Sequence, residues 1–97
     1  MTYNLEFEDK AKKEWDKLDN SVKTIFKDML KRRLHNPKIP KDRLLGTGNH
    51  ECYKIKLRNH GYRMVYEVIN NRFILLVISV GKRENDEVYV RMRKRLK

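Results

Sequence analysis

Residues 52–80 read CYKIKLRNHGYRMVYEVINNRFILLVISV and contain three strand patterns separated by two turn signals. Asn59-His60-Gly61 and Asn70-Asn71 are typical of tight turns, because asparagine and glycine tolerate the backbone angles that such turns need. The run from Phe73 to Val80 is apolar except at Ser79, which is typical of a central strand covered on both faces. This stretch therefore predicts an antiparallel β-meander whose last strand is central.

The residues before the meander predict one strand and two helices. Thr2–Phe7 alternates polar and apolar residues, as in a half-buried strand. Apolar residues then recur every three or four positions, which predicts amphipathic helices over residues 9–18 and 21–35. Asn20 or Ser21 is the expected N-cap of the second helix. The two helices should form a hairpin with one apolar seam.

A loop and a basic helix account for the rest of the sequence. Prolines and glycines punctuate the loop after the second helix, and Ile39, Leu44 and Leu45 are its expected anchors to the core. Residues 87–97 predict a strongly basic final helix, with Asp86 as its N-cap. Three roles are open for this helix: packing on the sheet edge, gripping RNA, or docking an acidic partner.

The order of these elements predicts an α+β fold. An N-terminal strand, a helical hairpin, an antiparallel β-meander and a C-terminal helix place helices on one face of an antiparallel sheet. The N-terminal strand has no local partner, so it must pair with an edge strand or with the central strand, and both alternatives are open. No repeat or linker divides the sequence, and residues 1–97 are expected to form a single domain.

Composition and charge narrow the classes of function. The 97 residues carry 24 Lys and Arg against 13 Asp and Glu, a net charge of +11, which favours polyanionic partners. No window approaches the roughly 18 consecutive apolar residues of a membrane span, and the first residues lack the apolar segment of a secretory signal. The one cysteine, Cys52, cannot form an internal disulfide. We therefore expect a soluble, cytoplasmic protein without a membrane partner.

A cluster of cations follows the strand patterns. Lys54, Lys56 and Arg58 alternate with apolar residues and project from one strand face about 7 Å apart. Because a helix could cover these three residues only by burying unpaired charge, we expect this sheet face to be open and basic. Four more residues can lie near these cations: Arg63 across the ladder, and Lys82, Arg83 and Tyr89 after the central strand.

Clustered cations beside an aromatic ring favour RNA binding, since cations hold phosphates and a ring can stack on an unpaired base. The alternatives are a solvated basic face and an acidic protein partner. The three histidines show no metal-ligand spacing, and no cluster of other ligands joins them, so no metal or other cofactor is expected. Cys52 is expected to be an ordinary free thiol, because no partner set for a cysteine nucleophile accompanies it.

Four segments of the sequence, in order, resemble one protein family. They are AKKEWDKL at residues 11–18, CYKIKLR at 52–58, GYRMVY at 61–66 and VISVGKR at 77–83. With these segments the sequence resembles the RelE toxins of bacterial toxin–antitoxin systems almost from end to end. The resemblance implies the compact, microbial-RNase-like fold of those toxins.

The resemblance also implies a ribosome-dependent endoribonuclease that cuts the mRNA codon in the ribosomal A site, beside the 16S rRNA. In such toxins the 2′-hydroxyl attacks the adjacent phosphate, which leaves a 2′,3′-cyclic phosphate and a 5′-hydroxyl. By matching motifs, the expected catalytic residues are Lys54, Lys56, Arg63, Arg83 and Tyr89. The expected further RNA contacts are Arg58, Lys82 and Arg43, the last substituting for a basic residue expected where Leu45 stands.

Each catalytic position has an expected chemical role. Neighbouring cations favour the neutral form of an amine, so Lys54, crowded by Lys56 and Arg63, is the expected general base for the 2′-hydroxyl. Lys56 and Arg63 would stabilise the charge that grows on the phosphorane oxygens. The resemblance places Arg83 at the leaving 5′-oxygen, and Tyr89 would orient the substrate by stacking on a base. No metal is needed, because the cations do the Lewis-acid work.

A toxin of this kind implies a cognate acidic antitoxin, partly disordered when free. It would block the active site, displace the final helix or make the toxin too bulky for the A site. Contact with operator DNA would be indirect, through the antitoxin complex. Two other functions stay open. ParE toxins share the architecture and inhibit DNA gyrase by binding, without the Lys/Arg/Tyr set, and a non-catalytic RNA- or ribosome-binding protein would share the basic face.

Overall fold

The computed structural model describes residues 2–84 and 86–96. Their order is strand, two helices, three strands and one helix, which confirms the predicted α+β fold. The elements are β1 (Asn4–Phe7), α1 (Asp9–Asp16), α2 (Asn20–His35), β2 (Cys52–Leu57), β3 (Tyr62–Ile69), β4 (Ile74–Lys82) and α3 (Glu87–Arg95). No helix among the described residues is long and apolar enough to cross a membrane.

The two N-terminal helices begin at different kinds of cap. At α1 the side chain of Glu8 accepts a hydrogen bond of 2.9 Å from the backbone N–H of Ala11, which satisfies one of the free donors at the helix start. At α2 the N-cap is Asp19, whose side chain makes no capping hydrogen bond. The prediction of Asn20 or Ser21 as N-cap was therefore wrong by one or two residues, and the predicted helix boundaries hold within two residues.

The four strands form one sheet in the order β1-β4-β3-β2. The antiparallel meander and the central place of β4 are both confirmed, since β4 pairs with β3 on one side and β1 on the other. β1 runs parallel to β4, with Asn4 opposite Ile74 and Phe7 opposite Val77. The open question about the first strand is thereby settled in favour of the central strand, and the sheet is mixed rather than wholly antiparallel.

One face of the sheet packs against α1 and α2 and holds the larger core. Trp15 and Phe26 join the two helices there, with ring centroids 6.2 Å apart. Ile55, Tyr66 and Leu75, one from each strand of the meander, are fully buried beneath them. The alternation of β2 is as predicted, because its apolar residues point into this core and its cations point to the other face.

The other sheet face is covered in part by α3. Val88 and Met92 are almost fully buried against Cys52, Val65 and Ile78. The expectation that helices lie on one face only, with the second face open, was therefore wrong. The reason is that the cations of this face lie on β2 and at Arg63 near the start of β3, whereas Val65 of β3 and Ile78 of β4 are apolar side chains that a helix can cover without burying charge.

A β-bulge in β4 changes which of its residues face α1 and α2 and which face α3. The register between β3 and β4 shifts after Val65, which pairs with Ser79, while Tyr66 pairs with Val77 and Ile78 has no opposite residue. Ile78 and Ser79 consequently both face α3, where the Ser79 hydroxyl donates a 2.8 Å hydrogen bond to the carbonyl of Val88. The bulge explains why the apolar run of β4 could not be assigned to faces by simple alternation.

Two loop predictions differ from the structure. Leu45 is 86% exposed, so it does not anchor the loop, whereas Leu44 packs under α3 as predicted for an anchor. Phe73 was expected to begin the last strand, but it ends the tight turn Asn70–Arg72 in a left-handed conformation with φ of 53°. The strand begins one residue later, and the Phe73 ring lies 5.7 Å from that of Tyr3.

Candidate active site

The cations of β2 and the ring of α3 meet at one cavity. Lys54 and Lys56 project from the sheet face that α3 only partly covers, and Arg63 lies opposite Lys56 on β3. Tyr89, in the first turn of α3, closes the side of a cavity of about 330 Å³. Its lining residues are Leu44, Lys54, Lys56, Arg63, Asp86, Tyr89 and Arg93.

A second cavity of about 280 Å³ adjoins the first and brings in Arg83. Lys56 and Arg63 line both cavities, so that they form the boundary between them. The second cavity is lined by Lys56, Leu57, Arg58, Gly61, Tyr62, Arg63 and Arg83. The five residues expected to be catalytic therefore lie around one continuous basic depression, with Arg83 and Tyr89 on its two sides.

Arg83 is held at the end of the depression by the backbone. Its N–H donates a 2.7 Å hydrogen bond to the carbonyl of Gly61, in the turn between β2 and β3. Gly61 has φ of 68°, a left-handed conformation that glycine adopts without steric cost. The same turn that lets β3 run back along β2 thus fixes the start of the segment after β4.

Arg63 and Tyr89 form the best-defined contact in the site. The guanidinium of Arg63 lies 5.7 Å from the centre of the Tyr89 ring, and its Nη1 donates a 3.3 Å hydrogen bond to the Tyr89 hydroxyl. The Nε of Arg63 is buried and makes no hydrogen bond among the residues that the structure describes. Because buried donors are rarely left without a partner, this Nε is an exception among the buried polar atoms of the described residues.

Repulsion between cations lowers the pKa of Lys56. The charge of Lys54 is the largest cause, and partial desolvation and the charges of Arg63 and Arg58 act in the same direction. A positively charged neighbour favours the neutral form of an amine, which is the form that can accept a proton. The sequence analysis assigned the general base to Lys54, and that role stays a prediction; the lowered pKa of its neighbour Lys56 makes Lys56 a second candidate for the base.

Of the three expected further RNA contacts, only Arg58 lines the depression. Lys82 lies at the end of β4 opposite Tyr62 and is absent from the described lining of both cavities. Arg43 lies 5.6 Å from the ring centre of Tyr53, which belongs to the core under α1 and α2. Lys82 and Arg43 are thus not brought together with the catalytic set.

Arg93 is the residue of the depression that the sequence analysis missed as a site residue. It follows Tyr89 by four positions on α3, so the two side chains share one helix flank. Helical spacing from Tyr89 was the signal that could have identified it. Asp86 and Leu44 also line the cavity, Asp86 in a left-handed conformation at the start of α3 and without the predicted side-chain cap.

Other reactive side chains lie outside the depression. Burial raises the pKa of Cys52 to about 12, with the charge of Glu67 acting in the same direction, so the thiol stays protonated near neutral pH. His50 is paired with Glu67 at 2.8 Å. Among residues 2–84 and 86–96, no three His, Cys, Asp or Glu side chains are placed to hold a metal ion together.

Comparison with known proteins connects this geometry to a family. Residues 5–87 match the family described as ParE toxin of type II toxin–antitoxin system. Over 96 residues, 99% of both chains, the sequence is 47% identical to the mRNA interferase toxin RelE of Escherichia coli. This chain is a RelE-type toxin of the ParE/RelE family.

Solved structures of E. coli RelE agree with this assignment. The RelE-type chain superposes on a free RelE mutant, in which two arginines are replaced by alanine, with a TM-score of 0.89. The identity is 45%, and the alignment covers 100% of both chains. A complex of the same mutant with an antitoxin RelB peptide gives a TM-score of 0.79 at 47% identity over 93% of both chains. The RelE fold is therefore reproduced along the chain that the structure describes.

Proposed function

We propose that this RelE-type toxin is an mRNA interferase that cuts the codon held in the ribosomal A site. The observation that carries the proposal is the convergence of Lys54, Lys56, Arg63, Arg83 and Tyr89 around one basic depression. Its positive charge suits the RNA backbone, and Tyr89 offers a ring for an unpaired base. The relatives that are named mRNA interferases support the same activity.

In the proposed reaction the 2′-hydroxyl of one nucleotide attacks the phosphate on its own 3′ side. A lysine amine accepts the hydroxyl proton, the 2′-oxygen forms a bond to phosphorus, the bond to the 5′-oxygen of the next nucleotide breaks, and that oxygen takes a proton from water. The products are a 2′,3′-cyclic phosphate and a 5′-hydroxyl. The Lys54/Lys56 pair supplies the base, and the lowered pKa of Lys56 increases the fraction of neutral amine near neutral pH.

Arg63 would stabilise the negative charge that grows on the phosphorane oxygens. Arg63 lines both cavities, so its guanidinium can donate charge-assisted hydrogen bonds to a phosphate oxygen bound there. Arg83, on the other side of the depression, would stabilise the leaving 5′-oxygen. Tyr89 would stack on a base of the bound codon. The reaction needs no metal ion in this proposal, because one lysine and the two arginines remain positively charged around the phosphate while the other lysine acts as the base.

The proposal includes the partners of the toxin. Restraint by an acidic antitoxin is supported by the RelE structures solved with RelB, one of them with RelB residues K47 to L79. Contact with operator DNA would be made by the antitoxin. Because the substrate is mRNA on the ribosome, we place the protein in the cytoplasm, and residues 1–97 would act as one toxin domain.

A second candidate function is inhibition of DNA gyrase by binding. It is favoured by the matched family, which is described as ParE toxin. Against it, a gyrase-binding toxin has no need of Lys54, Arg63 and Arg83 around one cavity wall beside a tyrosine. Cleavage and supercoiling assays on the same preparation separate the two functions.

The test is primer extension on a defined mRNA with and without programmed ribosomes. Wild type should cut within the A-site codon only when ribosomes are present, and Arg83→Ala and Lys54→Ala should each lose most of the cleavage. Arg72→Ala is the matched control, because it removes an exposed arginine from the Asn70–Arg72 turn at the far end of β3. Antitoxin-free, folded wild type that cuts no mRNA but inhibits supercoiling would transfer the assignment to the gyrase-directed class.

A further inference from the structure

The helix that carries Tyr89 presents two different flanks. Val88 and Met92 point into the sheet, and Tyr89 and Arg93 lie on the flank that faces the depression. Arg91 and Arg95, also four positions apart, lie on the opposite flank. Because one turn of an α-helix takes 3.6 residues, whatever holds Arg91 and Arg95 also sets the direction of Tyr89.

Both arginines are held by the carboxylate of Glu14 on α1, while their other ion pairs are longer: Arg95 lies 3.9 Å from Glu8, and Arg91 lies 3.8 Å from Glu87. Arg95 donates to Glu14 with two nitrogens, at 2.9 and 3.0 Å, which is the bidentate geometry of a strong arginine–carboxylate pair. Arg91 Nη1 donates to the same carboxylate. The side chains of Glu14 and Arg95 are only 15% and 10% exposed, so solvent screens their pair weakly.

The same carboxylate also contacts the strand that leads to the depression. Glu14 accepts a 3.3 Å hydrogen bond from the backbone N–H of Val80, and Arg95 donates a 2.8 Å bond to the carbonyl of Ile78. A Cβ at Gly81 would lie 3.0 Å from Arg91 Nη2, so glycine leaves space for this guanidinium. Two residues further on is Arg83, and the cluster therefore joins α1, α3 and the end of β4.

Ionisation of Glu14 is favoured within this cluster. Burial by itself would raise the pKa of Glu14, but the hydrogen bonds from Arg95 and the Val80 N–H and the charges of both arginines lower it overall. The pKa of Arg95 is raised by its hydrogen bond to Glu14. The carboxylate thus stays charged near neutral pH and keeps both arginines in place.

We propose that Glu14 is a positioning residue of the active site, which fixes the rotation of α3 through Arg91 and Arg95 and so holds Tyr89 against Arg63. Among the described residues Glu14 hydrogen-bonds to Arg91, Arg95 and the Val80 N–H, which do not line the depression, so it acts on the site through the helix. This inference rests on the proposed function for its cleavage measurement but not for its structural one. An apolar contact could hold α3 as firmly, whereas charged pairs with defined geometry select one rotation.

The first arm of the test measures single-turnover cleavage of A-site mRNA on programmed ribosomes. Glu14→Gln should slow cleavage by about tenfold, because α3 is then free to rotate and Tyr89 is no longer held in the position that the transition state requires. In a Tyr89→Ala background the same substitution should cost less than about twofold, since the group that Glu14 positions is then absent. The matched control is Asp16→Asn, which removes an exposed carboxylate of α1 that pairs only with Lys12 among the described residues.

The second arm measures hydrogen exchange of α3 amides and does not depend on cleavage. Glu14→Gln should speed exchange over residues 91–95, while α2 and β3 keep wild-type protection and Asp16→Asn changes neither. Glu14→Asp keeps the charge on a shorter side chain, so its α3 amides should exchange faster than those of wild type and more slowly than those of Glu14→Gln. This variant replaces Glu14→Gln in the test if Glu14→Gln does not fold.

The outcomes distinguish this inference from the proposed function. Equal slowing by Glu14→Gln with and without Tyr89 would overturn the inference, and so would unchanged exchange of α3. Wild type that cuts no mRNA would overturn the proposed function instead, and the exchange arm would still decide whether Glu14 holds the helix.

Discussion

Two arginine–tyrosine pairs lie on opposite faces of the same sheet. On the helix-covered face the guanidinium of Arg33 lies 5.8 Å from the ring centre of Tyr66 and donates a 2.7 Å hydrogen bond to its hydroxyl. On the face with the depression, Arg63 lies 5.7 Å from the ring centre of Tyr89 and donates a 3.3 Å bond to its hydroxyl. The two pairs therefore use the same contact.

The two pairs differ in the other hydrogen-bond partners that the arginine and the tyrosine have. Arg33 also donates to Asp42 at 2.7 Å, and the Tyr66 hydroxyl donates to the carbonyl of Pro37 at 2.6 Å. Arg63 has no ion pair with any carboxylate in the part of the chain that the structure describes, and its buried Nε has no acceptor there. Removing one partner of a buried ion pair destabilises a fold because the other charge is left unpaired, whereas a cation that has no counter-charge within the fold can accept an anion from outside.

The sharpest test of this contrast makes the same substitution in both pairs. Arg63→Met should reduce cleavage by about 10²–10³-fold, the usual effect of removing one donor that stabilises a charged transition state. Its free energy of unfolding should be unchanged or slightly higher, since methionine keeps the apolar stem and relieves repulsion with Lys56. Single-turnover cleavage and urea unfolding measure the two effects.

Arg33→Met should show the reverse pattern. Loss of the guanidinium leaves Asp42 and the Tyr66 hydroxyl, both partly or fully buried, without their donor. We expect a loss of about 2 kcal/mol in the free energy of unfolding and near-normal cleavage by the folded fraction. If both variants lost stability and cleavage to the same extent, the distinction between a structural and a functional pair would be wrong.

The sequence predicted the sheet face that packs against α1 and α2 better than the face that packs against α3. Alternation in β2 placed Ile55 in the core and Lys54 and Lys56 opposite it, because a strand that carries charge on one face has only one way to pack. The path of α3 was not predictable in this way. It depends on Val65 and Ile78 lying on one face, and the bulge at Ile78 breaks the alternation from which that face could have been read.

The members of the site were predicted unevenly for a similar reason. Lys54, Lys56 and Arg63 belong to one β-ladder, so spacing alone brings them together. Their position after the central strand suggested that Arg83 and Tyr89 could lie near these cations, but only the resemblance to RelE toxins assigned them to the catalytic set, since no local rule sets where a helix after β4 will lie. The same limit explains why Arg93, on the flank shared with Tyr89, was missed as a site residue.

A second prediction concerns pH. Of the Lys54/Lys56 pair that supplies the base, Lys56 has the lowered pKa, and cleavage limited by proton transfer to its neutral amine should rise about tenfold per pH unit below that pKa and then level off. The charge of Lys54 lowers that pKa, so the plateau should begin below the value of about 10.4 for an unperturbed lysine. The Nζ of Lys56, followed by NMR, should titrate over the same range as the cleavage rate.

The lowered pKa of Lys56 also makes the stability of the folded chain depend on pH. Lys56 has a lower pKa folded than unfolded, so the unfolded chain binds more protons between the two values, and stability rises with pH through that window. Replacing Lys54 by glutamine removes the charge that lowers the pKa of Lys56 most, so the pKa of Lys56 measured by NMR should rise. A titration unaffected by this substitution would mean that the two amines do not interact.

The smallest expected effect comes from two arginines that lie on opposite sheet faces. Arg93 lines the depression on the flank of Tyr89, where it can add one more contact to a phosphate. Arg93→Ala should raise KM about threefold with kcat unchanged, because an exposed charge interaction contributes well under 1 kcal/mol. Arg43→Ala should leave both constants unchanged, since Arg43 lies against Tyr53 on the helix-covered side.

Steady-state kinetics on programmed ribosomes, at more than one salt concentration, can resolve this difference. The Arg93 effect should shrink as salt rises, as expected for a contact with a polyanion, and no such trend should appear for Arg43. An equal rise in KM for both variants would show that net charge alone guides the toxin to its substrate. A larger rise in KM for Arg93→Ala than for Arg43→Ala would mean that the location of the charge matters. The RNA would then bind to the sheet face that carries the depression.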